Sequence, residues 1–554
     1  MFRRTYFVLL AVGLGMLMSI LPVAAQDRPA IKRRHVAAAE RIIGLNFSKA
    51  ERDSLLGDLA DHRQNYQRIR DLRLPNSVPP ALLFNPVPQG QEFDTASRPI
   101  VWASAGTVSR PEELEELAWY SVAQLGELLR TGQVTSTELT RLALDRLKRY
   151  DGELHAVVTL TEERALEQAA RADAEIAAGN YRGPLHGIPY GAKDLLAARG
   201  YPTTWGANPY QDQVIESDAT VIRKLQEAGA VLVAKLALGA LAWGDVWFGG
   251  KTRNPWNTEQ GSSGSSAGPG SAVAAGLVPF AIGSETWGSI VSPATRNGVT
   301  GLRPTFGRVS RAGAMALSWS MDKLGPMCRT VEDCAIVFDA IRGPDGLDPT
   351  VVDLPFNYDY RVDLADLRIG YYKSAFEAEY GNHERDAAVL EVLRDLGAAL
   401  IPIELPDYPV SDLAFILSAE AGAAFDDLTL SNRDDMLARQ IKNSWPNVFR
   451  SARFIPAVAY IQANRARYEL IQKMALVMEQ VDVYVSPSFG GDNLLLTNLT
   501  GHPCVVLPNG FNERGSPTSI TFMGGLYDEA NLLAVARAYQ QATGWHRQHP
   551  PDFK

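Results

Sequence analysis

The alternation of helix-like and strand-like segments after residue 113 is the feature that most limits the folds open to this chain. Helical patterns cover residues 121–130, 135–150 and 217–228, the last capped by Ser217, and apolar runs cover 231–233, 277–282 and 481–485. Segments that alternate in this way form α/β folds, in which helices cover a buried sheet. Because no linker divides residues 113–554, we predict one large α/β domain with a mostly buried sheet.

Residues 26–112 have a different character, helical first and then proline-rich. Ser48 and Glu51 form a capping box, which predicts a helix that begins there and carries Leu55 and Ile69 on one side. Prolines and weak periodicity over residues 73–110 predict an extended connector. We therefore predict an N-terminal helical arm and a proline-rich connector that pack as an accessory to the main domain.

The first 25 residues follow the pattern of a secretory signal peptide. A basic start at Arg3 and Arg4 precedes an apolar run, and small residues then precede a cleavage position before Gln26. An uncleaved membrane anchor is the alternative, but the run is short for a spanning helix. The pattern predicts a periplasmic or secreted protein without stable membrane insertion after cleavage.

Charge and cysteine content exclude several classes of partner and site. The net charge of −9 without a basic block argues against nucleic acid as a partner. No cysteine and histidine cluster has the spacing of a zinc site, so no metal is expected. The three cysteines do not form a disulfide framework, and a pair between Cys328 and Cys334 is left open.

Two serines in glycine-rich stretches, Ser265 and Ser289, lie 24 residues apart, and Lys193 precedes both. A serine hydroxyl is a weak nucleophile until a neighbouring base takes its proton. A buried, neutral lysine can be that base, and a second serine can relay the proton. The apolar residues around Lys193, including Leu195 and Leu196, predict that its side chain is buried, which lowers the pKa of the amine.

A different nucleophile fits another pattern in the same loop. Residues 264–268 match G-x-S-x-G, the nucleophile elbow of α/β-hydrolases, in which Ser266 would attack and His502 would be the base. The elbow needs a strand directly before it, whereas residues 257–261 have the composition of a turn. The pattern therefore favours Ser265 and Ser289 over Ser266.

Several motifs that occur together in a fixed order resemble those of the amidase signature family. They lie at residues 187–194, 264–270, 272–279, 283–290, 301–310, 322–327 and 498–501. The resemblance covers about residues 113–554. It implies a large mixed β-sheet flanked by helices and a reaction that needs no cofactor.

The resemblance implies a role for each residue of the serine and lysine set. Ser289 would be the nucleophile that accepts the acyl group, and Lys193 would be the terminal base. Ser265 would be the bridging serine, preceded by a cis peptide bond, and the family's spacing of 24 residues selects it over Ser262. The oxyanion hole would consist of backbone N–H groups from Thr286, Trp287, Gly288 and Ser289.

Two positions depart from the common family sequence Gly-Gly-Ser-Ile-Arg. Trp287 takes the place of a glycine, where it would line the acyl pocket or pack inward, and Val291 takes the place of the arginine. Neither change removes a catalytic group. Because of both changes, the substrate of the family cannot be assumed for this chain. We expect Asp322 to cap a helix or loop and not to act in catalysis.

The resemblance implies hydrolysis of a carboxamide in a small molecule or peptide, through a seryl acyl-enzyme, to a carboxylic acid and an amine or ammonia. Carbamates and esters pass through the same intermediate and are left open. An amidotransferase component that acts on tRNA-linked substrates is a second alternative, but that enzyme is cytosolic and needs partner subunits and ATP. A non-catalytic relative is a third, and the intact Lys193, Ser265 and Ser289 argue against it. A homodimer is left open.

Overall fold

A computed structural model describes residues 30–554 of the chain. The signal peptide predicted over residues 1–25 lies outside the described residues. Between residues 30 and 554, no helix is both long and apolar enough to cross a bilayer. Two compact units are present, one that ends at Arg73 and one that comprises Leu74–Lys554. The domain boundaries after residues 25 and 112 stay predictions.

The first unit consists of three helices, α1 (Arg33–Ile43), α2 (Lys49–Ser54) and α3 (Leu56–Arg70). The predicted capping box is present: the Ser48 hydroxyl accepts a hydrogen bond from the Glu51 N–H, and the Glu51 carboxylate accepts one from the Ser48 N–H. The single helix predicted after Ser48 is divided at Leu55, where α2 ends.

The second unit is built on an eleven-stranded sheet, with two small two-stranded sheets beside it. In chain order the strands are β1 (Val157–Leu160), β2 (Pro189–Lys193), β3 (Val231–Leu236), β4 (Val246–Trp247), β5 (Gly250–Lys251), β6 (Arg253–Asn254), β7 (Asn257–Gly261), β8 (Phe280–Glu285), β9 (Thr300–Arg303), β10 (Lys323–Cys328), β11 (Ile369–Tyr372), β12 (Leu400–Ile403), β13 (Val483–Pro487), β14 (Cys504–Phe511) and β15 (Pro517–Gly524). The large sheet has the order β1-β3-β2-β8-β10-β9-β14-β15-β13-β11-β12.

The large sheet is mixed. Strands β3, β2 and β8 run parallel, as do β13, β11 and β12, while the strands between these two groups pair antiparallel. Both faces are buried, since successive side chains of a strand point to opposite faces. Leu232 of β3 belongs to one apolar core, whereas its neighbours Val231 and Val233 belong to the other. The α/β prediction with a buried mixed sheet is therefore confirmed.

Fifteen further α-helices occur in the second unit, all within the described part of the chain. They are α4 (Val122–Arg130), α5 (Ser136–Leu154), α6 (Glu162–Ala177), α7 (Thr220–Glu227), α8 (Ala267–Ala274), α9 (Val291–Asn297), α10 (Val331–Ile341), α11 (Lys373–Glu377), α12 (His383–Asp395), α13 (Phe415–Ala424), α14 (Asp426–Leu430), α15 (Trp445–Ala452), α16 (Ala457–Met478), α17 (Asn493–Thr500) and α18 (Glu529–Thr543). Helices α4 and α5 confirm two sequence predictions, and both begin with capping boxes.

Two predicted boundaries are wrong for local reasons. Helix α7 has Ala219, and not Ser217, at its N-cap, and the neighbouring Asp218 forms an ion pair with Arg164 at 2.9 Å. The strand predicted from residue 277 begins at Phe280, because the Leu277 N–H still closes the end of α8 by donating to the carbonyl of Ala272.

Candidate active site

Lys193 is the last residue of β2, and its side chain is fully buried, as the sequence predicts. Its Nζ lies 2.8 Å from Ser265 Oγ, 2.9 Å from Ser266 Oγ and 2.8 Å from Ser284 Oγ. The amine is thus surrounded by hydroxyl groups and contacts no carboxylate within hydrogen-bond distance among the described residues.

The carboxylate next to Lys193 in sequence is used elsewhere. Asp194 forms a fully buried ion pair with Lys235 at 2.6 Å and accepts a hydrogen bond from the Thr204 N–H. Burial therefore lowers the pKa of Lys193 well below its ordinary value, and the more distant carboxylates of Asp322 and Glu285 offset only part of this effect.

Ser265 lies in the loop between β7 and α8, where the Gly264–Ser265 peptide bond is cis, as the resemblance implied. Ser289 lies in the loop between β8 and α9. The Ser266 N–H donates to the Ser289 carbonyl at 3.1 Å and so joins the two loops.

The structure brings Lys193 and Ser265 into contact but does not join the two serine hydroxyls. Within residues 30–554 no hydrogen bond links Ser265 Oγ to Ser289 Oγ, and the Ser289 hydroxyl has no partner there. Catalytic hydrogen bonds are often long without substrate and shorten in the complex. Ser289 is 9% exposed, whereas Ser265 is fully buried.

The loop over residues 286–289 presents backbone N–H groups that have no acceptor among the described residues. A positive φ of 82° at Gly288 lets the chain turn there, a conformation that glycine adopts without steric cost. The Trp287 side chain is 45% exposed, so it does not pack inward. Unpaired backbone N–H groups on one loop can stabilise an oxyanion.

A buried glutamate, Glu285, holds the residues that directly follow this loop. One carboxylate oxygen of Glu285 accepts hydrogen bonds from the N–H groups of Ile290 and Val291, at 2.8 and 3.0 Å. The other accepts from Arg303 at 2.7 Å and from Asn498 at 2.9 Å. Despite burial, the charge of Arg303 and these hydrogen bonds lower the pKa of Glu285 to about 2. Position 291, where the common family sequence has arginine, is valine in this chain. The positive charge next to Glu285 comes from Arg303.

Asp322 has the structural role expected from the sequence. Its carboxylate accepts hydrogen bonds from the Leu317 and Ser318 N–H groups, at 2.8 and 2.9 Å, and so caps that loop. It also accepts one from the Thr286 hydroxyl at 2.6 Å, which ties the first residue of the 286–289 loop to the same anchor.

Sequence reasoning missed the contribution of Ser266 and Ser284 to the lysine site. The Ser266 hydroxyl accepts a hydrogen bond from the Ser284 N–H and donates one to the Ser284 carbonyl, both at 3.1 Å. The signal available was that both serines lie inside the glycine-rich motifs, at positions adjacent to Ser265 and Glu285.

The same contacts argue against the nucleophile elbow. Ser266 is fully buried, and its hydroxyl is engaged by Lys193 and Ser284. The proposed base, His502, is buried and shares a hydrogen bond with Thr500 at 2.8 Å, and burial lowers its pKa to about 3. The turn predicted over residues 257–261 is wrong, because the chain pairs there with β6 to form β7. Four residues still separate β7 from Ser266, whereas the elbow needs a strand directly before it.

No group of three His, Cys, Asp or Glu side chains in residues 30–554 is arranged to bind a metal ion. The pair left open between Cys328 and Cys334 is not formed, since both are free, buried thiols.

Comparison with known proteins agrees with this geometry. The sequence profile of the Amidase family matches residues 138–495. The chain belongs to the amidase family. The chemistry of this family is hydrolysis of carbon–nitrogen bonds, and the chain is an enzyme of this family.

Relatives of this chain include both amidotransferase components and a hydrolase. The glutamyl-tRNA(Gln) amidotransferase A subunit of Halorhodospira halophila is 33% identical over 78% of this chain and 99% of its own length. Its counterpart from Moorella thermoacetica is 35% identical over 78% of this chain and 99% of its own. The native peptide amidase of Stenotrophomonas maltophilia superposes with a TM-score of 0.71 at 32% identity, over 79% of this chain and 100% of the peptide amidase. The amidase signature fold is thereby confirmed.

The buried pair between Glu285 and Arg303 predicts a large stability effect. Arg303→Ala leaves the Glu285 carboxylate buried without its cation, which costs about 3–5 kcal/mol of unfolding free energy. Urea denaturation measures the loss. The matched control is Arg223→Ala, which breaks an exposed pair with Glu227 (3.3 Å) and should cost less than about 1 kcal/mol. Equal losses in the two variants would contradict the stabilising role of the buried pair.

Proposed function

We propose that this amidase hydrolyses a carboxamide through a seryl acyl-enzyme formed on Ser289. The observation that supports this most strongly is the buried Lys193 amine, 2.8 Å from Ser265 Oγ and with a pKa well below its ordinary value. A neutral lysine can accept a proton, whereas a charged one cannot. The site therefore holds a base next to the first serine of a two-serine relay.

The reaction then proceeds in two halves. Lys193 accepts the Ser265 proton while Ser265 takes the Ser289 proton, and Ser289 Oγ bonds to the carbonyl carbon. When the tetrahedral intermediate collapses, the C–N bond breaks and Ser265 gives a proton to the leaving nitrogen, with Lys193 returning its own. Water, activated by the same relay, then releases the carboxylic acid and restores Ser289.

The negative charge that develops on the carbonyl oxygen is stabilised by the N–H groups of residues 286–289. Each well-placed donor of this kind contributes roughly 2.7–4 kcal/mol to the transition state. Glu285 and Asp322 fix the two ends of this loop before substrate arrives, so little reorganisation is needed during the reaction.

For the substrate we propose a small-molecule or peptide amide. The likeness to a peptide amidase supports this choice. A carbamate or an ester would form the same acyl-enzyme, so comparison of p-nitroanilide, primary-amide and carbamate substrates decides the preferred bond. We also propose a periplasmic or secreted location, which the signal-like residues 1–25 support.

A second candidate function is that of a tRNA-dependent amidotransferase component, which the curated relatives favour. The two functions differ in what the purified chain does alone. We expect amide hydrolysis without a partner protein, tRNA or ATP. Activity that depends on those additions would favour the amidotransferase.

A fluorophosphonate probe, which labels activated serines, tests the nucleophile. We expect Ser289→Ala to abolish labelling and Ser266→Ala to retain it. Ser263→Ala is the matched control in the same loop, since Ser263 bonds to Ser292 at 2.8 Å and not to Lys193. Labelling that disappears only in Ser266→Ala would support the elbow mechanism instead.

The protonation state of Lys193 predicts the pH dependence of the reaction. Because the neutral amine is the active form, kcat/KM should rise with pH as Lys193 loses its proton and then reach a plateau. The low pKa of Lys193 places this rise well below the range in which a free lysine titrates. A pH–rate profile measures it, and a sharp fall in activity above about pH 7 would contradict Lys193 as the base.

A further inference from the structure

A cavity of about 320 Å³ is lined in part by residues that neighbour the proposed reacting groups. Ser284 and Thr286 lie in its wall, and Ser284 Oγ is 2.8 Å from Lys193 Nζ. Apolar side chains, among them Leu317 and Leu324, cover much of the remaining surface. A group attached to the scissile amide can therefore extend from the reaction centre into this cavity.

Part of the cavity wall comes from residues 76–83, which we call the strap. The sequence predicts only a connector here, yet Pro79, Pro80, Leu82 and Leu83 all line the cavity. Consecutive prolines restrict the backbone to an extended conformation, so this wall is stiff although it contains no helix or strand.

The strap is anchored at its start and just beyond its end. Asn76 Oδ1 accepts a hydrogen bond from the Ala316 N–H at 2.7 Å, and Asn76 Nδ2 donates to the Ala316 carbonyl at 2.8 Å. Phe84 packs edge-on against Phe306, with 5.0 Å between ring centroids, and the Arg467 guanidinium lies 3.6 Å from the Phe84 centroid. These contacts hold the leucines between them at the cavity.

The two leucines of the strap present apolar surface to solvent. Leu82 is 79% exposed and Leu83 is 50% exposed, although both line the cavity. Covering such surface with an apolar group is favourable because it removes the surface from water.

The charged side chains of the cavity are already compensated. Within the described residues they are Arg311, Asp322 and Asp348. Arg311 forms an ion pair with Asp348 at 3.0 Å and donates to Thr350 at 2.9 Å. Asp322 accepts hydrogen bonds from three donors. Each of these three charged side chains therefore already has polar or ionic partners within the described residues.

We propose that the strap selects amides that carry an uncharged, apolar chain on one side of the scissile bond. This proposal rests on the proposed amide hydrolysis. Leu82 and Leu83 contact this chain, and Asn76 positions them. The strap is thus a determinant of substrate class and not only a connector.

Two substrate series test the strap. One consists of primary amides from acetamide to octanamide, and the other of acetamides with N-alkyl groups of increasing length. In at least one series kcat/KM should rise with chain length. Replacing both leucines (Leu82→Ser with Leu83→Ser) should lower kcat/KM for the longest amide by about tenfold while changing acetamide by less than about twofold.

Asn76→Ala is an independent second variant and should also weaken the dependence on chain length. The matched control is Leu476→Ser, at a leucine that is 61% exposed and outside the cavity, which should leave both series unchanged. Loss of the dependence in the acyl series places the apolar chain on the acyl side, and loss in the N-alkyl series places it on the leaving group.

A chain-length dependence that is absent from both series, or that survives in the strap variants, overturns the proposal. Ser289→Ala separates this outcome from failure of the proposed function. Hydrolysis that persists in Ser289→Ala contradicts the seryl mechanism, whereas Ser289-dependent hydrolysis with unchanged length dependence contradicts only the role of the strap.

Discussion

The site depends on a lysine that is buried without a counter-ion. The only carboxylate next to Lys193 in sequence, Asp194, is paired with Lys235, so the Lys193 amine contacts three hydroxyl groups and the Ser284 carbonyl but no carboxylate among the described residues. Desolvation of an ammonium group is costly and favours the neutral amine. The proposed mechanism uses no histidine and needs such a base, and the ion pair formed by Asp194 leaves the Lys193 amine without a bonded carboxylate among the described residues.

The large sheet places the proposed catalytic groups at the ends of neighbouring strands. Lys193 ends β2, and β8, which pairs with β2, ends at Glu285, just before the 286–289 loop. Two buried carboxylates hold that loop at its ends. Glu285 accepts a hydrogen bond at the start of α9, and Asp322 accepts one from Thr286. The N–H groups of the 286–289 loop are therefore positioned before substrate binds, which is the condition for efficient electrostatic catalysis.

Local motifs predicted what depends on local sequence, and long-range packing decided the rest. The fold class and the burial of Lys193 followed from short segments, whereas the contact between Lys193 and Ser265, 72 residues apart, followed from the family resemblance. The pairing of Glu285 with Arg303 could not be predicted, since valine at position 291 indicated only a lost charge. The end of α8 could not be recognised, because the apolar run from residue 277 begins before the helix is closed. The hydrogen bond between Asn76 and Ala316, 240 residues away, could not be predicted from a proline-rich segment without periodicity.

Direct titration of Lys193 tests the central claim. Nuclear magnetic resonance of protein labelled with ¹³C-lysine follows each lysine with pH, and the Lys193 signal is assigned by its loss in Lys193→Met. The neutral base predicts a transition for Lys193 well below that of the exposed lysines. A transition in the same range as theirs would mean that the amine is charged at working pH, and it would contradict the proposed mechanism.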